Sequence, residues 1–383
     1  MRSVIFLSVL LLVFGSVGYY IYLRFSQSIF NSNYSPWAYT IIYWLLVGSL
    51  FAGYILQTFS ISVVSETLVR IGSVIIGILA YVLIVIVFFD IIRLVNHYIP
   101  FFPDFIKENY VGFKFKLGII SIIIICTLVL YGLYHAKDTK IVNLSIEVNK
   151  KSPISDSIRI VALSDIHLGT IINHKNIDNL FEKINNINPD LILIGGDMVD
   201  NSFKVAAHYK LLERFKELHP KYGIYACLGN HDYISNSYQH IEKFETNNIN
   251  ILRDSAVLID DKFYVVGRDD ISYNSLSISK RKTLNQLLDG LDVSKPIILL
   301  DHQPYNLENV AKYPIDFQFS GHTHKGQFFP FSLITKWIFE KDYGFIKKGN
   351  TNFYISSGFG NAVSPIRIGT QSEIVNIVIK STK

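Results

Sequence analysis

Four uncharged, mostly apolar stretches, residues 4–23, 37–56, 71–89 and 117–134, dominate the first third of the chain. Each is 18 to 20 residues long, enough at about 1.5 Å per helical residue to cross a hydrocarbon core of ~30 Å. In hydrocarbon, backbone amides have no water to bond, so such runs are constrained to be helices. Residues 1–138 therefore read as a multi-pass bundle of about four transmembrane helices in the cell membrane. A basic Arg2 before an apolar run also describes a signal peptide, but the length of the first stretch and its lack of an A-x-A site favour retention. Tyr19, Tyr20, Trp37, Tyr98, Phe101, Phe102, Tyr110 and Tyr134 lie near the ends of these runs, where rings suit the lipid-water boundary. Arg24, Arg93, Lys107, Lys114 and Lys116 flank one side, against Arg2, Arg70, Lys137, Lys140, Lys150 and Lys151 on the other. That excess of one leans the second side, and the domain that follows, towards the cytoplasm.

Charge density marks the domain boundary. Residues 1–138 hold 8 Lys or Arg and 5 Asp or Glu, and residues 139–383 hold the other 28 and 26. The second domain is thus nearly balanced, which argues against a nucleic-acid-binding surface. Cys126 and Cys227 sit in apolar runs and read as small core residues, not as a disulfide framework.

From Lys140 the pattern changes to short β-branched runs: "KIVNLSIEV", "IRIVALSD", "LILIGGD", "IYACLGN", "FYVVGRDD", "PIILLDH", "FQFSGHTH", "FYISSGFG" and "IVNIVI". These predict strands, several buried on both faces. Ile177, Leu180, Phe181, Ile184 and Ile187 recur at helical spacing until Asn188-Pro189 stops the helix. Strand, helix and strand in succession predict an α/β sandwich, and later strands without long helices between them predict a second sheet packed on the first.

In such a fold, polar groups that do chemistry collect where strands end. Asp165 and His167 follow "IRIVALS", Asp197 follows "LILIGG", Asn230 and His231 follow "IYACLG", His302 follows "PIILLD", and His322 and His324 follow "FQFSG". Two neighbouring divalent cations need a shared carboxylate plus nitrogen and oxygen donors. Asp197 is expected to be the bridge, with Asp165, His167 and His324 on one ion and Asn230, His302 and His322 on the other. Gly321 loosens the backbone so that His322 and His324 can face different ions, and glycines before Asp197 and Asn230 permit close approach. His231 has no place in that set and is the candidate general acid, with Asp232 expected to fix its imidazole.

Taken together, "LSDIHLGT", "GGDMVD", "GNHD", "DHQP" and "GHTHKGQ" resemble the calcineurin-like metallophosphoesterase superfamily, and "YISSGFGNAVSPIRIGTQSEI" resembles its bacterial membrane-associated YkuE-type and YaeI-type branch. The resemblance covers about residues 139–380. It implies a two-sheet α/β/β/α sandwich, two metal ions, phosphoester hydrolysis and the residue roles above. Lys325 stands where the branch usually has glycine, and Gln371-Ser372 where it usually has proline; Lys325 and Arg367 are candidate substrate contacts or structural residues. Asp270 matches a family position near the site, whereas Arg268 and Asp269 read as surface charge.

His, Asp and Asn donors accept manganese, iron, zinc or magnesium, so the sequence leaves the metal open. An anchored domain favours lipid-linked or membrane-proximal phosphates over soluble ones, because tethering raises its effective concentration there. The apolar "FFPFSLITKWIF" contributes Phe328, Phe331, Trp337 and Phe339 either to lipid contact or to packing on the sheet. The alternative to an enzyme is a catalytically silent metal-binding scaffold or membrane sensor of the same fold.

Overall fold

The computed structural model describes residues 2–32, 35–150, 157–272 and 280–381, with side chains from Leu12 onward. The Arg2 side chain and Lys151, both counted above for orientation, lie outside the described residues. The chain forms two compact units, Met1–Leu133 and Tyr134–Lys383.

The first unit is helical: α1 (Arg2–Ile29), α2 (Trp37–Phe59), α3 (Val63–Tyr98), the single turn α4 (Asp104–Glu108) and α5 (Tyr110–His135). Among the described residues α2, α3 and α5 are each long and apolar enough to cross a membrane, and α1 covers the remaining expected stretch. At 36 residues α3 extends well past its uncharged segment. Ser62 starts it by accepting a hydrogen bond from the Ser65 amide while the Ser65 hydroxyl accepts one from the Ser62 amide, which satisfies two amides that helix geometry leaves unpaired.

The second unit is a two-sheet α/β sandwich. One six-stranded sheet runs β1 (Thr139–Val148), β12 (Ser372–Ser381), β2 (Ser157–Leu163), β3 (Leu191–Gly195), β4 (Ile224–Cys227) and β5 (Ile249–Ile251). The other, also of six, runs β10 (Gly344–Lys348), β11 (Thr351–Ile355), β9 (Phe317–Ser320), β8 (Ile297–Leu300), β7 (Phe263–Gly267) and β6 (Ser255–Ile259). The pairs β2 to β3, β3 to β4, β7 to β8 and β8 to β9 are all parallel. Both sheets thus send several strand ends towards one edge.

Alternation within the strands builds the layers. Ile160 and Ala162 of β2 join Leu191, Leu193, Phe317 and Phe319 between the sheets, whereas Val161 and Leu163 face outward with α6 (His174–Ile187). Leu284, Leu287 and Leu307 from short helices cover the outer face of the second sheet. Both faces of the central strands are therefore apolar, as their sequence requires. In α6 the residues Ile177, Leu180, Phe181 and Ile184 are buried at 3.6-residue spacing, and Asn188 ends the helix in the left-handed region (φ 52°).

Leu180 is fully buried, so Leu180→Ala is expected to cost about 3 kcal/mol through lost contact and residual cavity. An unchanged melting transition of the detergent-solubilised chain would contradict this packing.

Candidate functional site

Asp165 and His167 follow β2, Asp197 follows β3, Asn230 and His231 follow β4, His302 follows β8, and His322 and His324 follow β9. The structure brings all eight together. Their backbone is unusual: Asp165 (φ 52°), His167 (54°), Asp197 (53°), His322 (72°) and His324 (46°) all occupy the left-handed region, at a cost of roughly 1 kcal/mol or more apiece. Neighbouring amides hold them there. The Asp165 amide donates to Gly196 O and the His167 amide to Asp197 O, both at 3.0 Å.

Gly321 and Gly229 leave no room for a side chain. A Cβ on Gly321 would lie 2.3 Å from Asp165 Oδ2, and one on Gly229 would lie 2.2 Å from Asp197 Oδ1. These contacts let the chain pass directly beneath the carboxylates. The His322 amide donates to Asp165 Oδ1 at 3.0 Å, and the His231 amide to Asp197 Oδ1 at 2.7 Å.

The acceptor atoms converge on two foci. At one, Asn230 Oδ1 lies 3.2 Å from His302 Nε2 and 2.8 Å from His322 Nδ1, and Asp197 Oδ2 lies 3.2 Å from His302 Nε2. His302 Nδ1 donates to Gly195 O at 2.7 Å, which turns the other ring nitrogen towards the oxygens. At the other focus, His167 Nε2 and His324 Nε2 are 3.2 Å apart, and Asp165 Oδ1 lies 3.4 Å from His324 Nε2. Asp197 Oδ2 is also 4.0 Å from His167 Nε2, so one carboxylate reaches both groups.

Among the described residues, the ion pairs of Asp165 and Asp197 run to imidazoles and to no lysine or arginine. Both carboxylates are almost fully buried. Burial works to raise Asp165, but His324, His302 and His167 outweigh it and hold it below the usual carboxylate range; Asp197 is held low against its burial chiefly by His302. Burial pushes His324 down to about 3, and burial with the His302 charge takes His322 to about 4. Burial also works against a charged His302, but Asp197 overrides it and raises His302 well above its ordinary value. The His302 proton thus supplies positive charge that a bound cation would supply instead. The donor set, borderline nitrogen with hard oxygen around shared carboxylates, fits divalent metal ions. Asp165 with His167 and His324, and Asp165 with Asp197 and His302, form compact groups of possible ligands.

Asp232 departs from expectation. Its carboxylate points away from the His231 ring and accepts from the amides of Gly229 (2.9 Å) and Val199 (3.2 Å) and from the Ser237 hydroxyl (3.1 Å). Those donors pin the loop under the site, and burial with Asp197 nearby raises Asp232 to about 6. The carboxylate beside His231 is Asp200, whose Oδ1 lies 3.6 Å from His231 Nδ1 and 3.7 Å from His167 Nδ1. Among the described residues these three buried atoms have no hydrogen-bond partner. Burial pushes His231 down, but Asp200 and Asp197 outweigh it and carry it up to about 9. The signal for Asp200 was in the sequence, as the second acid of "GGDMVD".

Arg367 is not a substrate contact. It is fully buried and donates to Asn361 Oδ1 (2.9 Å), Ser357 O (2.9 Å), Gln371 O (3.0 Å), Gly358 O (3.1 Å) and Gly360 O. Its fork clamps the loop whose Gly360 amide donates to Asp165 O at 2.7 Å. Glu373 braces the same loop by accepting from Ser356 Oγ (2.9 Å) and the Ser357 amide (3.1 Å). Lys325 lies outside the cluster, its Nζ 4.6 Å from the Tyr343 ring centre.

Arg268 and Asp269 are not surface charges either. Asp269 is 2 % exposed and accepts from Arg253 at 3.1 Å, while Arg268 pairs with buried Asp301, next to His302, at 3.1 Å. Asp270 accepts from Gln303 Nε2 at 2.9 Å. Phe339 packs against His322 and Tyr305, with ring centres 5.9 and 5.0 Å away. By contrast, the helix Phe331–Ile338 buries none of its residues, and Trp337 is 87 % exposed.

Residues 158–326 match the family model described as calcineurin-like phosphoesterase. A metallophosphoesterase of Aquifex aeolicus is 31 % identical over 258 residues, which is 66 % of this chain and 97 % of that one. The YkuE metallophosphoesterase of Bacillus subtilis is 29 % identical, over 59 % of this chain and 80 % of its own. A zebrafish (Danio rerio) transmembrane protein with a metallophosphoesterase domain is 30 % identical over 72 % of this chain. The matched region spans 65 % of the zebrafish relative and 62 % of a cattle (Bos taurus) one, less than two thirds of either.

Arg367→Gln leaves buried carbonyls without donors and is expected to destabilise the second unit by roughly 3 kcal/mol or more. A thermal melt of the full chain checks this: an unchanged transition would argue against the clamp.

Proposed function

The chain belongs to the calcineurin-like phosphoesterase family, and from that premise we propose that it is a membrane-anchored, metal-dependent phosphodiesterase or pyrophosphatase acting on lipid-linked or membrane-proximal phosphates. The carrying observation is Asp197, whose Oδ2 approaches His302 Nε2 at 3.2 Å and His167 Nε2 at 4.0 Å. Asp165, His167 and His324 would hold one divalent ion and Asn230, His302 and His322 a second, with Asp197 shared. When bound, such ions acidify a water to hydroxide near neutral pH and neutralise charge on a phosphate undergoing attack.

His231 supplies the proton for the leaving oxygen. Asp200 faces its Nδ1, which favours the protonated ring and leaves Nε2 to deliver the proton. Asp200 is thus a positioning residue, in the role that Asp232 was expected to fill. The left-handed loops fix donors in place before substrate arrives, and so less reorganisation is needed during the reaction.

The membrane reading rests on α2, α3 and α5 and on the transmembrane relatives. The exposed apolar helix Phe331–Ile338, joined to the site through Phe339 against His322, supports substrates presented at a lipid surface. The catalytic side is taken as cytoplasmic from the one-residue excess of flanking basic charge.

Full-length protein loaded with manganese, iron, zinc or magnesium in turn is expected to hydrolyse bis-p-nitrophenyl phosphate and to lose that activity on chelation. His231→Ala should lower kcat by about 10²- to 10⁴-fold while bound metal, measured by elemental analysis, stays unchanged. Asp197→Asn should lower bound metal as well as turnover. Metal binding without turnover under every metal would favour the silent scaffold.

Trp337→Ser should reduce hydrolysis of a vesicle-presented phosphodiester more than that of the soluble ester. Equal effects on both would remove the lipid-surface role of this helix.

A further inference from the structure

The membrane unit contains a cavity of about 1040 Å³ between α1, α3 and α5. Arg24, Arg93, Lys114 and Asp90 line one end of it. Arg24 pairs directly with Asp90, which also accepts from Tyr20 Oη at 2.5 Å, and Arg93 Nη2 stands 3.9 Å from the same carboxylate. Two cations, Arg24 and Arg93, therefore share one anion. Among the described residues, Lys114 donates to the neutral Asn31 Oδ1 at 3.3 Å and pairs with no carboxylate, so this end carries a net positive charge facing a space with apolar walls.

Those walls have a direction. On α3 the lining residues Ile78, Val82 and Ile86 precede Asp90 at helical spacing, and on α5 Leu117, Ile122 and Ile125 follow Lys114. The 12 residue steps from Ile78 to Asp90 rise about 18 Å, comparable to one leaflet of a ~30 Å hydrocarbon core. Ser28 Oγ donates to Lys114 O at 3.1 Å, which ties α1 to α5 at the charged end.

Charged side chains at the edge of a membrane-spanning bundle are costly unless neutralised, and basic pockets between such helices suit lipid headgroups. We propose that the membrane unit binds one anionic phospholipid, its phosphate against Arg93 and Lys114 beside the Arg24–Asp90 pair and an acyl chain along the apolar walls of α3 and α5. A zwitterionic lipid brings a quaternary ammonium into the same basic end and is disfavoured. A free inorganic phosphate matches the charge but leaves the apolar walls uncovered. This site is independent of the phosphoesterase reading, and its test reads binding, not turnover.

The test is native mass spectrometry of the full chain, incubated with phosphatidylglycerol or phosphatidylcholine of identical acyl chains. Phosphatidylglycerol is expected to be retained at least tenfold more tightly, and an excess of inorganic phosphate is expected not to displace it. The double variant R93Q/K114Q should lose the preference. Ile122→Trp, which fills the apolar wall and leaves every charge in place, should weaken phosphatidylglycerol retention about fivefold or more and decides the matter if the double variant fails to fold. Equal retention of the two lipids by the unsubstituted protein, displacement by inorganic phosphate, or unchanged phosphatidylglycerol retention in the Ile122→Trp protein would overturn the proposal.

Discussion

Two carboxylates buried with no lysine or arginine ion partner among the described residues, Asp165 and Asp197, set the terms for the rest of the second unit. Isolated buried charge is expensive, so positive charge has to be brought to it. Imidazoles answer that need from both sheets, because parallel neighbours β2, β3 and β4 and parallel neighbours β8 and β9 end at the same edge. The left-handed turns at five site residues follow from the same demand, since they aim short side chains inward while the amides stay paired.

That arrangement is held from behind. Asp232 collects the amides of Gly229 and Val199, and Arg367 and Glu373 fix the loop pressed against Asp165. A family fingerprint marks such residues without saying which touch substrate. Arg367 is the instructive case: an arginine near a phosphate site suggests an anion contact, yet here its donors are taken up by backbone carbonyls. Asp232 is similar, because adjacency in sequence to His231 suggested adjacency in space, whereas the helical turn Asn230–Ile234 sends consecutive side chains in different directions.

Much of the fold was legible because its signals are periodic. β-branched runs located nine strands, and apolar spacing located α6 with its stop at Asn188. The strands β5, β6 and β10 escaped notice: β5 has three residues, and β6 and β10 are mostly half-buried or exposed, so neither continuous apolarity nor clean alternation marks them. The eight clustered site residues were readable because chemistry places them immediately after strands. Asp200 stands in the same motif as Asp197, but its role shows only in space, where two imidazoles from other loops meet its carboxylate.

The placement of β12 constrains how the second unit can be made. It lies between β1 and β2, parallel to one and antiparallel to the other, and joins Thr139 to Ser372 across 233 positions. A nascent chain emerging from the ribosome therefore holds β1 and β2 with no strand between them until nearly the whole unit has been synthesised. In that interval two apolar strand edges are open to wrong pairing, and closure of the first sheet becomes a late, cooperative event for which chaperone protection has the most to offer.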